Sequence, residues 1–160
     1  MLNPSFRAKG SAASIDTGFG VVWRILIVAV LLAVPARVYG MDRIFTIEIR
    51  NVAVSHGKVY VAVFNSESTY KKGEQYAGFV LNADSPTLFH SLEVPEGEYV
   101  ISAFQDINNN GKLDMNFLGI PKEPIGMSNY SGTGIPGGFE RLKVGIRADN
   151  QVVIVNMIKF

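Results

Sequence analysis

From Phe45 onward, apolar and polar residues alternate in short runs. Phe45, Ile47 and Ile49 interleave with Thr46, Glu48 and Arg50, the period of a half-buried β-strand. Lys58 to Phe64 is rich in β-branched and aromatic residues, and Gly57 opens it. Further strands are predicted over Gln75–Asn82, Thr87–Leu92, Glu98–Gln105, Arg141–Arg147 and Gln151–Ile158, separated by Pro, Gly, Asp and Asn. No window carries a helical stripe. Lys71 to Glu74 has room for a single turn. Seven short strands, none able to bury its apolar face alone, predict an all-β, two-sheet antiparallel sandwich. The segment from Asp106 to Phe139 breaks the rhythm. It is rich in Pro and Gly and poor in strand-like runs, and long loops in compact domains tend to be functional. Residues 106–139 are therefore expected to form a loop capping one end of the sandwich.

The first 40 residues read differently. Arg7, Lys9 and Arg24 precede the apolar run Ile25 to Val34, Pro35 ends it, and Val38-Tyr39-Gly40 offers a small residue before Met41. That order predicts a helical signal peptide over 1–40, removed on export, and one domain over 41–160. The alternative is an uncleaved anchor, but ten apolar residues fall short of the roughly 20 that a membrane span needs. The length of leader before the run leaves open a start codon downstream of Met1.

Charge and cysteine content narrow the function. From Asp42 on there are 11 Lys/Arg and 13 Asp/Glu, so the whole-chain charge of +1 comes from the leader. No clustered basic face suggests nucleic acid. With no cysteine, the domain must hold itself by its core, with a metal as one available aid.

The most specific chemistry lies at the start of the long loop. Oxygen-bearing side chains recur at Asp106, Asn108, Asn110 and Asp114, with Gly111 after the third. A tight loop that wraps calcium uses this spacing, because alternate residues point inward and glycine permits the sharp turn. Lys112 would offer its carbonyl, and Asn116 another oxygen. The twelfth position, where a bidentate glutamate belongs, holds Phe117, so Glu123 is the candidate to fold back and complete the shell. With so few carboxylates, affinity is expected in the weak range, roughly 10⁻⁴–10⁻³ M. The competing reading is a metal-free turn: Asn110-Gly111 favours a tight bend, and Asp and Asn cap their own backbone.

Three stretches together resemble a known family: Glu98 to Asp106, Asn108 to Asp114, and Leu118-Gly119-Ile120-Pro121-Lys122-Glu123-Pro124-Ile125-Gly126-Met127-Ser128-Asn129. They are similar to the bacterial domain of unknown function 2141, over roughly Ile44 to Met157. The resemblance implies an exported protein of Gram-negative bacteria without assigned activity, and a transthyretin-like or immunoglobulin-like sandwich. Leu92 to Tyr99 resembles the turn-plus-tyrosine segment of such modules, in which the hydroxyl reaches back to upstream backbone. Met127 stands where an aromatic is expected, which predicts a softer surface there.

Other signals are bland. Gly132-Thr133-Gly134-Ile135-Pro136-Gly137 has glycine spacing for a nucleotide but no strand–helix context. Ser128 or Ser131 with His56 or His90 is a triad only if geometry supplies it. Two histidines without cysteine make a poor zinc set. The sequence thus points to a non-enzymatic, periplasmic or secreted binding or structural module with a candidate Ca²⁺ loop. Tyr130 and Phe139 are candidate contacts for an unknown ligand or envelope protein. The membrane enters only through the signal segment. Two alternatives are an enzyme using Asp106, Asp114 or Glu123 as acid and base, and a subunit of an envelope assembly joined through the edge of Val152–Ile158.

Overall fold

The computed structural model describes residues 41–160. The predicted signal peptide lies outside them. Eight strands form two sheets. The first sheet holds β4 (Thr87–Pro95), β1 (Asp42–Arg50) and β8 (Gln151–Asn156) in that order. The second runs β3 (Ala77–Asn82), β2 (Lys58–Phe64), β5 (Gly97–Asp106) and β6 (Ile125–Met127), with β7 (Val144–Ile146) also on β5. β7 pairs with the start of β5 at Gly97–Tyr99, and β6 pairs further along at Ser102–Phe104.

The alternation read from the sequence is the alternation of burial. Phe45, Ile47 and Ile49 of β1 meet Val59, Val61 and Val63 of β2 and Ile101 and Ala103 of β5 in one core shared by both sheets. Each such side chain contributes about 1.5–3 kcal/mol when fully buried. Every pairing and both apolar clusters described here lie inside Met41–Phe160, so this unit carries its own core.

Several expectations are corrected. The first is the purely antiparallel sandwich: β8 pairs in parallel with β1, from Phe45–Gln151 to Arg50–Asn156. The second is the strand over Arg141–Arg147. Only Val144–Ile146 is extended, and Phe139–Leu142 forms a short helix, α2. A further helix, α1 (Glu67–Lys72), begins before the single turn expected at Lys71–Glu74; Ser66 caps it, and it ends at Gly73 in the left-handed conformation. The third is the role of Tyr130 and Phe139. With Phe64, Val100 and Leu142 they form a second buried cluster that covers the outer face of β2 and β5. Neither is available to a ligand. Met127, half-buried, packs against that same cluster and also lines a surface cleft.

Tyr99 is buried, and its hydroxyl donates to the Pro95 carbonyl at 2.7 Å, four residues upstream. Burial pushes its hydroxyl up to about 12, with Tyr76 and Asp42 adding to the shift. β8 lies at a sheet edge, with Val153 and Val155 inward and Val152 and Ile154 outward, so it is not buried on both faces.

Candidate functional site

The long segment leaves the sandwich at Asp106, the last residue of β5, and its base is built from buried polar groups. Gln105 is fully buried. Its amide nitrogen donates to the carbonyls of Ala53 (2.7 Å) and His56 (2.6 Å), and its oxygen accepts from Ala53 N (2.9 Å). The side chain is thus satisfied and pins the 51–57 connection beneath the loop. Gly57, at φ +65°, lies so close that a Cβ there would stand 1.7 Å from the Asp106 carbonyl oxygen.

Above this base the Asp/Asn residues close a turn. Asp106, 1 % exposed, accepts from Asn110 N on Oδ1 (3.1 Å) and from Gly111 N on Oδ2 (2.7 Å). Asn108 Oδ1 also accepts from Asn110 N, and Asn110 Oδ1 accepts from Lys112 N (2.8 Å). The two amide nitrogens then converge: Asn108 Nδ2 and Asn110 Nδ2 donate to Asp114 Oδ2 at 2.7 and 3.1 Å. Asn109 and Gly111 take the positive-φ positions, so the bend is not the simple Asn110-Gly111 pair.

Glu123 does fold back, the part expected of it once Phe117 occupies the twelfth position. It is 5 % exposed. Oε1 accepts from Ile107 N (2.9 Å) and Oε2 from Asp114 N (3.1 Å), one amide on each side of the turn. A carboxylate bonded to backbone N–H groups forms charge-assisted bonds, stronger than neutral ones. Glu123 is therefore a clamp across the turn. Asn116, expected to add an oxygen to the same shell, works elsewhere. It closes a small hairpin, Met115–Pro121, by accepting from Leu118 N (2.9 Å) and Ile120 N (3.0 Å) on Oδ1. Lys122 N donates to the Asp114 carbonyl (2.9 Å), tying that hairpin to the turn.

Of the seven candidate residues, Asp106, Asn108, Asn110 and Asp114 are brought together, Glu123 joins them through the backbone, Lys112 joins through its own N–H, which donates to Asn110 Oδ1, and Asn116 stays outside. The donor set is satisfied within the chain: amide nitrogens, not oxygens, face Asp114. Among the described residues no three His, Cys, Asp or Glu side chains group as metal ligands. The triad candidates do not assemble either. Ser128 is buried, donating to the Leu142 carbonyl (2.7 Å) and accepting from Ile101 N (3.1 Å), while His90 stacks on Phe79 with ring centroids 3.8 Å apart.

The geometry of this turn and hairpin sits within a segment that matches a bacterial family over residues 47–154, more than half of the chain; the family is described as an uncharacterised protein conserved in bacteria, DUF2141. The chain belongs to that family. No curated protein and no solved structure matches it significantly. In this DUF2141 protein the 106–139 segment also carries a feature that no charge spacing announced. Beside the hairpin lies a cleft of about 550 Å³, lined by Met115, Ile120 and Pro121, by Ile135 and Pro136 of the later loop, and by Phe160. At the hairpin tip Phe117 is 95 % and Leu118 67 % exposed, and Ile135 is 87 % exposed. The legible signal was the run Met115 to Ile120, mostly apolar yet without strand alternation.

Proposed function

We infer that this protein is an exported, non-enzymatic binding module of the bacterial periplasm, built on an immunoglobulin-like or transthyretin-like sandwich. Its 106–139 segment offers an apolar surface to a ligand. One observation carries the reading: a hairpin locked by a buried carboxylate and an Asp/Asn turn holds large apolar side chains out in water around an apolar cleft. Scattered apolar residues are ordinary on a surface, but a grouped, rigidly held set marks an interaction site. The basic and apolar leader supports export. The Tyr99–Pro95 bond supports the immunoglobulin-like kinship. A non-enzymatic role is supported by the carboxylates: Asp106 and Glu123 each hold two backbone N–H groups and Asp114 holds two amides, so each is engaged in structure.

The test is binding of the apolar dye 8-anilinonaphthalene-1-sulfonate to residues 41–160. The expected result is enhanced, blue-shifted emission from the native protein, and affinity about fivefold or more weaker in a Met115→Asp/Ile135→Asp variant that melts like wild type. A native protein that leaves the dye dark sinks the reading.

Calcium is a second reading, favoured by the meeting of Asn108, Asn110 and Asp114 at one point. Turned over, the two amides would present oxygens beside the Asp114 carboxylate, and the site would be weak. On this reading calcium at about ten times Kd adds about 1.4 kcal/mol. The melting temperature then rises by about 5 °C over the value in chelator, and Asp114→Ala abolishes the difference. Identical melts at millimolar calcium leave the turn as a brace alone.

A further inference from the structure

We propose that the occupant of this apolar surface is a lipid bilayer, with the Met115–Pro121 hairpin tip and Ile135 inserting among the acyl chains of an anionic membrane. The proposal deepens the binding-module reading and rests on it.

The first argument is the backbone of the tip. A peptide group that enters hydrocarbon without a hydrogen-bond partner costs several kcal/mol. The tip meets part of this demand internally. Leu118 N and Ile120 N donate to Asn116 Oδ1, Gly119 N to the Asn116 carbonyl (3.0 Å), and Asn116 N to the Ile120 carbonyl (2.9 Å). The second argument is the side chains. Phe117, Leu118 and Ile135 stand exposed, and no Trp or Arg accompanies them in the segment 107–138. Protein interfaces concentrate their energy in Trp, Tyr and Arg set in packed pockets; hydrocarbon asks only for apolar area. The third argument is how charge is disposed. The acids of the 106–139 segment are drawn inward: Asp106 and Glu123 are buried and Asp114 is half-buried. The charges of that segment facing solvent are Lys112 and Lys122, flanking the hairpin, and Lys159 stands next to Phe160. Among the described residues none of the three forms an ion pair. Lysines placed beside inserting apolar residues reach lipid phosphates with their ammonium groups while their stems lie along the apolar layer.

The experiment uses residues 41–160, which contain no tryptophan, since the sole one is Trp23. Phe117→Trp then places the only indole at the tip. The probes are vesicles of phosphatidylcholine alone and of phosphatidylcholine with phosphatidylglycerol. The expected result is a blue shift of the indole on mixed vesicles and partitioning several-fold stronger than on neutral ones, a preference lost in Lys112→Gln/Lys122→Gln. Phe117→Asp/Leu118→Asp weakens partitioning of the otherwise native chain by about a hundredfold, roughly a factor of ten per apolar side chain lost. An unshifted indole with both vesicles overturns the proposal, and so does a double aspartate variant that binds like wild type. If the anilinonaphthalene dye still binds while vesicles do not, the binding surface stands and its partner is a protein or small molecule instead. If both fail, the binding-module reading falls as well.

Discussion

Gly57→Ala is expected to leave the protein unfolded. The new Cβ would lie 1.7 Å from the Asp106 carbonyl oxygen and 2.7 Å from its carbon, distances no side chain adopts, and the obstacle is backbone. Moving it means separating β2 from the end of β5, where Lys58 pairs with Asp106. The left-handed φ of +65° adds strain of its own. The combined cost exceeds about 4–5 kcal/mol, the range reserved for steric conflicts in a core. A domain of this size has about 5–15 kcal/mol in all. Gly111→Ala is the control. Its φ is +76°, but an added Cβ meets nothing within 4 Å, so only the conformational cost of about 1–2 kcal/mol applies. Circular dichroism and urea titration of both variants check the contrast. A Gly57→Ala protein as stable as Gly111→Ala would show that the close approach is not a constraint.

Glu123→Ala is expected to be the most costly change within the long segment. It removes two charge-assisted acceptors at once and leaves the amides of Ile107 and Asp114 unpaired in a part-buried site. The loss is about 3–5 kcal/mol, or about 10–20 °C in melting temperature for a domain of this size. Hydrogen exchange localises it, because the amides of Ile107 and Asp114 should lose protection while those of β1 do not. Glu123→Gln should fall between, since one oxygen still accepts while the new NH₂ faces an N–H group. A Glu123→Ala variant that melts with wild type would remove the brace on which the rigid display of the hairpin depends.

What could be read from the chain and what could not divide along physical lines. β1 follows from alternation, because a strand with one buried face writes a period of two into its own residues, and β2, β3, β4, β5 and β8 follow from short runs of β-branched and aromatic residues bounded by turn residues. The Asp/Asn turn follows from spacing, because Asx side chains act on backbone two to five residues away. Glu123 was legible as a candidate because the twelfth position of the loop holds Phe117, although its partners turned out to be amides. The strand β6 was not legible: Ile125-Gly126-Met127 is three residues long, and it is extended because β5 offers it an unpaired edge. Arg141–Arg147 alternates in sequence, yet Phe139 and Leu142, three apart, share one face of a helical turn and bury together in the second cluster. Tyr130 and Phe139 looked like exposed contacts only because nothing local says that the outer face of β2 and β5 needs a cover.

The β-rich character, the place of the strands with one buried face and a self-capping Asp/Asn turn are all written locally in the chain. These rest on interactions within a few residues, or on a periodicity each strand carries alone. Only the tertiary structure decided that β8 lies parallel to β1, that Gly57 touches Asp106, that Gln105 and Glu123 anchor the turn from below and behind, and that Phe117, Leu118 and Ile135 stand exposed at one end. Each of these joins segments distant in the chain. Such contacts form through the packing of the whole core, so no local pattern encodes them.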